Sequence, residues 1–170
     1  ISPRALMKRV YESAVSYART FSTASESLLF MGATGLGKTL LSGCIARAVA
    51  DRGYSVCYVS AGKLFSDFET EKFRLKEDGA LTGEYLQTDL LIIDDLGTEM
   101  TTQFTVSALY QIVNGRLLSG KPTIVSTNLP DTELEARYSA QIASRLLGAY
   151  TLYQFCGTDV RLLRKMESRG

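Results

Sequence analysis

The eight residues Gly32-Ala33-Thr34-Gly35-Leu36-Gly37-Lys38-Thr39 follow the pattern G-x4-G-K-[ST]. These residue types in this order suit the wrapping of phosphates. Glycines let successive backbone N–H groups turn inward, a helix starting just after them adds a favourable dipole, and Lys38 would reach the β- and γ-phosphates. The Thr39 hydroxyl would be left for Mg²⁺. The bland alternative is a glycine-rich turn that binds nothing.

A phosphate-bound Mg²⁺ also calls for a carboxylate at a neighbouring strand end. Asp94 follows the apolar run Leu90-Leu91-Ile92-Ile93 and is the candidate metal residue. Asp95 beside it is a candidate base for polarising an attacking water, and also a candidate cap for the next turn. Glu99 is the second candidate for the base. Asn128 ends the run Thr123-Ile124-Val125-Ser126-Thr127 and would face the γ-phosphate if that strand lay beside the Leu28–Met31 strand. A strand-terminal Asn is equally at home as a turn residue.

The elements that must position these groups are legible in the pattern. Ser2-Pro3 reads as a helix start, and Leu6, Val10, Ala14 and Tyr17 recur at helical spacing to about Thr20. Leu28–Met31 reads as a buried strand, Lys38 to Asp51 as a helix closed by Gly53, Val56–Val59 as a strand and Ala61 to Phe73 as a helix. Residues 74–83 read as a loop or insertion. Leu90–Ile93 is the third strand, Phe104 to Leu118 a helix with Leu109, Ile112, Val113 and Leu117 on one face, and Thr123–Thr127 the fourth strand. Two short helices near 131–137 and 139–147 precede a fifth strand over Tyr150–Phe155. Strands alternating with helices predict an α/β fold: a five-stranded parallel sheet between two helical layers.

Composition narrows the classes. The chain has 170 residues, 45% of them hydrophobic and 22% charged, which suits one globular domain rather than a disordered segment. With no histidine, His-based acid–base chemistry and His metal sites are excluded. A net charge of +1 excludes a uniformly basic coating of nucleic acid, though not a local patch. Cys44, Cys57 and Cys156 are expected to be buried reduced thiols. No apolar run approaches the ~18 residues of a membrane span, and a cytoplasmic location, in the bacterial cytosol or nucleoid, is expected. The chain opens on Ile1, which suggests the motor portion of a longer protein.

The glycine-rich loop, Leu90-Leu91-Ile92-Ile93-Asp94-Asp95-Leu96-Gly97 and Ile124-Val125-Ser126-Thr127-Asn128, in that order, resemble the AAA+ ATPases of the ASCE type. Within them, the Asp94-Asp95-Leu96-Gly97-x-Glu99 run is most similar to the DnaC/DnaI group of replicative helicase loaders and to the related IstB transposition ATPases. The resemblance covers essentially residues 1–170 and implies an AAA+ core that binds ATP or ADP with Mg²⁺. It implies nucleotide contacts at Gly32, Ala33, Thr34, Gly35, Leu36, Gly37, Lys38, Thr39 and Leu40, and metal contacts at Thr39 and Asp94. Asp94 and Asp95 then correspond to Walker B, and Asn128 to sensor 1. Ala143-Ser144-Arg145-Leu146 is similar to box VII, making Arg145 the finger that reaches a neighbour's nucleotide; by itself it reads as a helix-surface arginine. Gly157-Thr158-Asp159-Val160-Arg161 resembles the closing motif, making Arg161 a sensor-2-like contact. About fifteen residues after the fifth strand leave no room for a C-terminal helical lid, as in the loader group.

Four functions follow from these expectations. One is an ATP-driven switch that loads a hexameric replicative helicase onto single-stranded DNA, self-associating into an oligomer or filament and gripping the helicase through a region outside this chain. A second is an IstB-like ATPase regulating a transposase on duplex DNA. A third, a small-molecule kinase, predicts a basic lid that the Asn128, Arg145 and Arg161 set does not need. A fourth, non-hydrolysing binding, is disfavoured by the acidic pair. For DNA, Lys63, Lys72, Arg74 and Lys76 interleave with Phe65, Phe68 and Phe73. Asp67, Glu69, Glu71, Glu77 and Asp78 in the same stretch suit a solvated mixed-charge face equally.

Overall fold

The computed structural model describes residues 2–73 and 80–157. Arg74, Lys76, Glu77, Asp78 and Arg161 lie outside the described residues. Helix α1 (Pro3–Thr20) starts where the Ser2 hydroxyl accepts the Ala5 N–H at 3.2 Å, with Pro3 in the first turn, where its missing N–H costs nothing. Strand β1 (Leu28–Met31) leads through the glycine loop into α2 (Lys38–Asp51), followed by β2 (Val56–Ser60) and α3 (Ala61–Phe73). Then come α4 (Ala80–Gln87), β3 (Leu90–Leu96), α5 (Gln103–Leu118), β4 (Thr123–Thr127), α6 (Asp131–Tyr138), α7 (Ala140–Ala149) and β5 (Thr151–Gln154).

The five strands form one parallel sheet in the order β2-β3-β4-β1-β5. Each central strand serves two cores, because successive side chains point to opposite faces. Leu28, Phe30, Leu90, Ile92 and Ile124 pack under α1 and α2 against Ala14, Phe21, Ile45 and Val49. Leu29, Met31, Leu91, Ile93 and Val125 pack on the other face against Leu64, Phe68, Leu109, Ile112, Val113, Ile142 and Leu146. Such two-sided burial is why β1 and the first four residues of β3 read as unbroken apolar runs, while β4 keeps Ile124 and Val125 at its centre. No helix among the described residues is long and apolar enough to cross a membrane.

Three local expectations need correction. First, the expected loop over 74–83 runs into α4, which begins at Ala80. This helix has little apolar periodicity to announce it, and tertiary bonds hold it: the Thr82 N–H donates to Glu71 Oε1 at 2.9 Å. Second, the cysteines are unpaired but not buried: Cys44 is exposed, and Cys57 and Cys156 are half-buried. Ser42, Ile45 and Val49 form the inward stripe of α2, and Cys44 falls one step off it. Third, β3 continues through Asp94 and Asp95 to Leu96 instead of ending at the carboxylates.

Arg116, on α5, is fully buried, although charged residues rarely are. No described residue forms an ion pair with it. Its guanidinium donates to the carbonyls of Tyr85 (2.9 Å), Thr88 (2.9 Å) and Pro122 (2.7 Å), and Nε donates to Thr123 Oγ1 at 2.8 Å. It thereby gathers carbonyls from the last turn of α4, just after it and just before β4, and fastens α4 to the sheet. Burial pushes its pKa down to about 10, which leaves it charged near neutrality. Arg116→Ala strands these carbonyls in the interior, at about 1–3 kcal/mol for each left unpaired. We expect a loss of at least about 3 kcal/mol in urea unfolding. Loss of less than 1 kcal/mol (about one weak hydrogen bond) would mean that water replaces the guanidinium at little cost.

Candidate nucleotide-binding site

All strands run the same way, so the residues after β1, β3 and β4 meet at one edge of the sheet. Because β1 sits between β4 and β5, its connection through α2 to β2 must pass over β4 and β3. The sheet order therefore brings the start of α2 above the end of β3. There Thr39 Oγ1 donates to Asp94 Oδ2 at 2.9 Å.

The glycine loop is fitted closely to β5. Gly32 has φ +149°, and a Cβ there would lie 2.5 Å from the Phe155 carbonyl oxygen and 2.8 Å from Phe155 Cβ. Phe155 is itself fixed by its N–H donating to Met31 O at 2.7 Å. Gly37, at φ +96°, turns the chain directly into α2. Lys38 folds back across the loop, donating to the carbonyls of Gly32 (2.5 Å) and Ala33 (2.8 Å). Burial lowers its pKa, while the Asp95 and Asp94 charges act in the opposite direction.

Asp94 is 7% exposed and accepts three hydroxyls. Besides Thr39, Tyr58 donates to Oδ2 at 2.6 Å and Ser126 to Oδ1 at 2.5 Å. Ser126 also accepts the Asp95 N–H at 3.0 Å, joining the two carboxylate residues through one side chain. Pairing between β3 and β4 slips by one residue between Ile93 and Leu96, and Asp95 sits in the bulge with φ +63°. Asp95 is consequently exposed while Asp94 is buried. Burial, aided by the Asp94 hydrogen bond and charge, pushes the Tyr58 phenol well above its usual pKa, so it stays a donor.

Asn128, exposed at the end of β4, donates to Thr34 Oγ1 of the glycine loop at 3.4 Å. Beside them opens a cavity of about 410 Å³ whose lining includes Gly32, Ala33, Asn128, Pro130, Leu147 and Leu152. Glu99 is near the site but engaged: Oε2 accepts the Gly97 N–H at 3.0 Å and Oε1 accepts the Tyr138 hydroxyl. Arg137 donates to the Glu99 carbonyl and, through Nε, to Thr101 Oγ1 at 2.6 Å, tying the loop after β3 to α6.

Arg145, on α7, bonds away from the loop. Its Nε donates to Asn114 Oδ1 at 3.1 Å, Nη1 to Gln141 O at 3.2 Å and Nη2 to the Tyr110 hydroxyl at 3.3 Å. The guanidinium also lies 5.0 Å from the Tyr110 ring centroid. Thus Thr39, Lys38, Asp94, Asp95 and Asn128 converge on one edge, while Arg145 faces α5.

Sequence reasoning missed Tyr58 and Ser126. Both are polar residues within three of a strand end, but their relation to Asp94 appears only once β2 and β4 are known to flank β3. The donor set suits a hard divalent cation: a hydroxyl and an acceptor-only carboxylate, with phosphate oxygens completing the shell. Of roughly four lone-pair positions on a carboxylate, three on Asp94 are taken by hydroxyls. Among the described residues, no three His, Cys, Asp or Glu side chains form a metal cluster of their own.

A parallel sheet in this order, with a glycine loop after β1 and a buried carboxylate within the end of β3, is the arrangement of a P-loop nucleotide-binding fold. More narrowly, the chain belongs to the family of IstB-like ATP-binding proteins, whose model matches residues 7–152. It is 30% identical over 105 residues to an ATP-binding protein in an insertion sequence of Mycobacterium tuberculosis, covering 62% of this chain and 41% of that one. It is 27% identical over 132 residues to the replicative helicase loader DnaC of Escherichia coli K12, covering 76% of this chain and 54% of DnaC. Among solved structures, a DnaC helicase loader superposes with a TM-score of 0.80 at 20% identity, covering 89% of this chain and 90% of that one. The chain spans about half the length of the curated relatives it matches.

Gly32→Ala tests the fit of loop to strand. The added Cβ forces Phe155 and β5 outward, at about 1–3 kcal/mol. The thermal midpoint should fall and ATP binding weaken together. Unchanged melting and binding would show that β5 yields freely.

Proposed function

We propose that the chain is a Mg²⁺-dependent ATPase core that switches a replicative helicase loader. The observation that carries the ATPase reading is the Thr39–Asp94 hydrogen bond, which joins a phosphate loop to a buried carboxylate. Thr39 and Asp94 would hold Mg²⁺, whose charge, when bound, neutralises that of the β- and γ-phosphates. Residues Gly32 to Leu40 wrap the phosphates, and Lys38 exchanges its loop carbonyls for phosphate oxygens.

Asp95, turned outward by its bulge, accepts the proton of the attacking water, and Asn128 orients that water. Glu99 is the weaker base, since the Gly97 N–H and the Tyr138 hydroxyl occupy its carboxylate. Arg145 stabilises the charge on a neighbour's transferring phosphoryl group after leaving Asn114 and Tyr110, so turnover requires self-association. Arg161 supplies a further phosphate contact. Residues 1–170 form one such core.

The loader role is supported by the match to DnaC, which runs over 76% of this chain. A transposition ATPase is the second reading, favoured by the 30% identical relative in an insertion sequence. DNA separates them: single strands should raise turnover in a loader, and duplex DNA in a transposition ATPase. A rise with duplex alone would overturn the loader role.

Lys38→Ala should weaken ATP binding by at least about tenfold, one lost charge-assisted contact. Equal affinity in equilibrium titration would remove the phosphate site. Turnover per subunit of the unaltered protein should rise with protein concentration. Arg145→Ala should abolish that rise and leave ATP affinity intact; an undiminished rise would remove the finger.

A further inference from the structure

Tyr58 occupies edge strand β2, 41% exposed as a residue and with its hydroxyl turned inward to Asp94. Its register partner is Ile92, two residues short of Asp94, so the phenol has the length to reach the end of β3. The hydroxyl donates to Asp94 Oδ2 at 2.6 Å, on the same oxygen that accepts Thr39 at 2.9 Å. Exposed to this degree, Tyr58 contributes little core packing that phenylalanine would not. What the hydroxyl adds is directed at one carboxylate oxygen.

We propose that Tyr58 is a positioning residue of the metal site, presetting the Asp94 carboxylate for Mg²⁺. The proposal rests on the Mg²⁺–ATP reading of Thr39 and Asp94. Thr39 has two duties in that reading: its oxygen is offered to the metal and its proton to Asp94. One donor on Oδ2 leaves the carboxylate free to pivot about its bond to Ser126. A second donor, arriving from a different strand, fixes the carboxylate plane before the metal arrives. Groups that orient a metal's ligands in this way typically change metal affinity by about 10–100-fold when removed. The opposite effect is also physically available: a hydroxyl on Oδ2 draws off negative charge, and its loss would then tighten the metal.

The test is ATP affinity of the full chain measured in EDTA and across a Mg²⁺ titration, with Mn²⁺ binding in the presence of ATP read by electron paramagnetic resonance. Tyr58→Phe should need about tenfold more Mg²⁺ to reach half its gain in affinity and should bind Mn²⁺ correspondingly more weakly. Its ATP affinity in EDTA should match that of the unaltered protein. An unchanged or lower metal requirement would overturn the proposal, as would equal loss of ATP affinity with and without metal. If the unaltered protein gains nothing from Mg²⁺, the metal reading falls and Tyr58's role falls with it. If the unaltered protein gains and Tyr58→Phe gains at the same concentration, only the role of Tyr58 falls.

Discussion

A carboxylate can be buried only if other groups replace the water it loses, because an unpaired charge in the interior is heavily penalised. Asp94 meets that requirement with three hydroxyls, from β2, from the first turn of α2 and from β4. Hydroxyls do this without neutralising it: they orient and solvate the charge, where an arginine or lysine would cancel it. The arrangement also ties together three elements that are far apart in sequence. For Thr39 to reach Asp94, α2 must cross above β4 and β3, as the strand order β2-β3-β4-β1-β5 requires.

The same constraint accounts for the irregularity in β3. Leu90 and Ile92 face α1 and α2, while Leu91 and Ile93 face the opposite core. Regular alternation sends Asp94 toward Thr39 but would drive Asp95 into the apolar core under α5. The bulge prevents this. Between Ile93 and Leu96, β3 takes three steps while β4 takes two, from Val125 to Thr127. Asp95 turns outward at φ +63°, and Leu96 rejoins Leu91 and Ile93. A left-handed aspartate costs less than a buried, unpaired one, and Ser126 secures the turn by accepting the Asp95 N–H.

Legibility followed how locally each feature is determined. The predicted bounds of α2 and α3 agree with the observed Lys38–Asp51 and Ala61–Phe73, and those of β1 and β4 with Leu28–Met31 and Thr123–Thr127. Their signals lie within a few residues: a cap, a glycine, a strand buried on both faces. The glycine loop between β1 and α2 was legible as a strand-to-helix turn for the same reason, being a contiguous motif. What depends on neighbours in the sheet was not. Tyr58 looks like an ordinary strand tyrosine until β2 is placed beside β3, and Arg116 like a surface helix residue until α4 and β4 converge on it. The α4 helix was missed because tertiary bonds, not periodicity, hold it. Arg145 was placed on its helix, but its contacts to Asn114 and Tyr110 needed the packing of α7 on α5.

Those contacts bear on how a switch of the proposed kind avoids idle turnover. A guanidinium left dangling at a subunit face would cost side-chain entropy whenever it engaged, and it would attract any anion. Arg145 is instead already satisfied by an amide oxygen, a carbonyl, a hydroxyl and an aromatic face, all uncharged. Neutral acceptors form weaker hydrogen bonds than ionised ones, so phosphate oxygens presented by a neighbour would outcompete them, whereas water would not. Holding the arginine on neutral partners therefore sets a threshold. In the proposed reading the side chain would leave only when a correctly seated triphosphate offers more than Asn114 and Tyr110 already provide, and hydrolysis would be conditional on assembly.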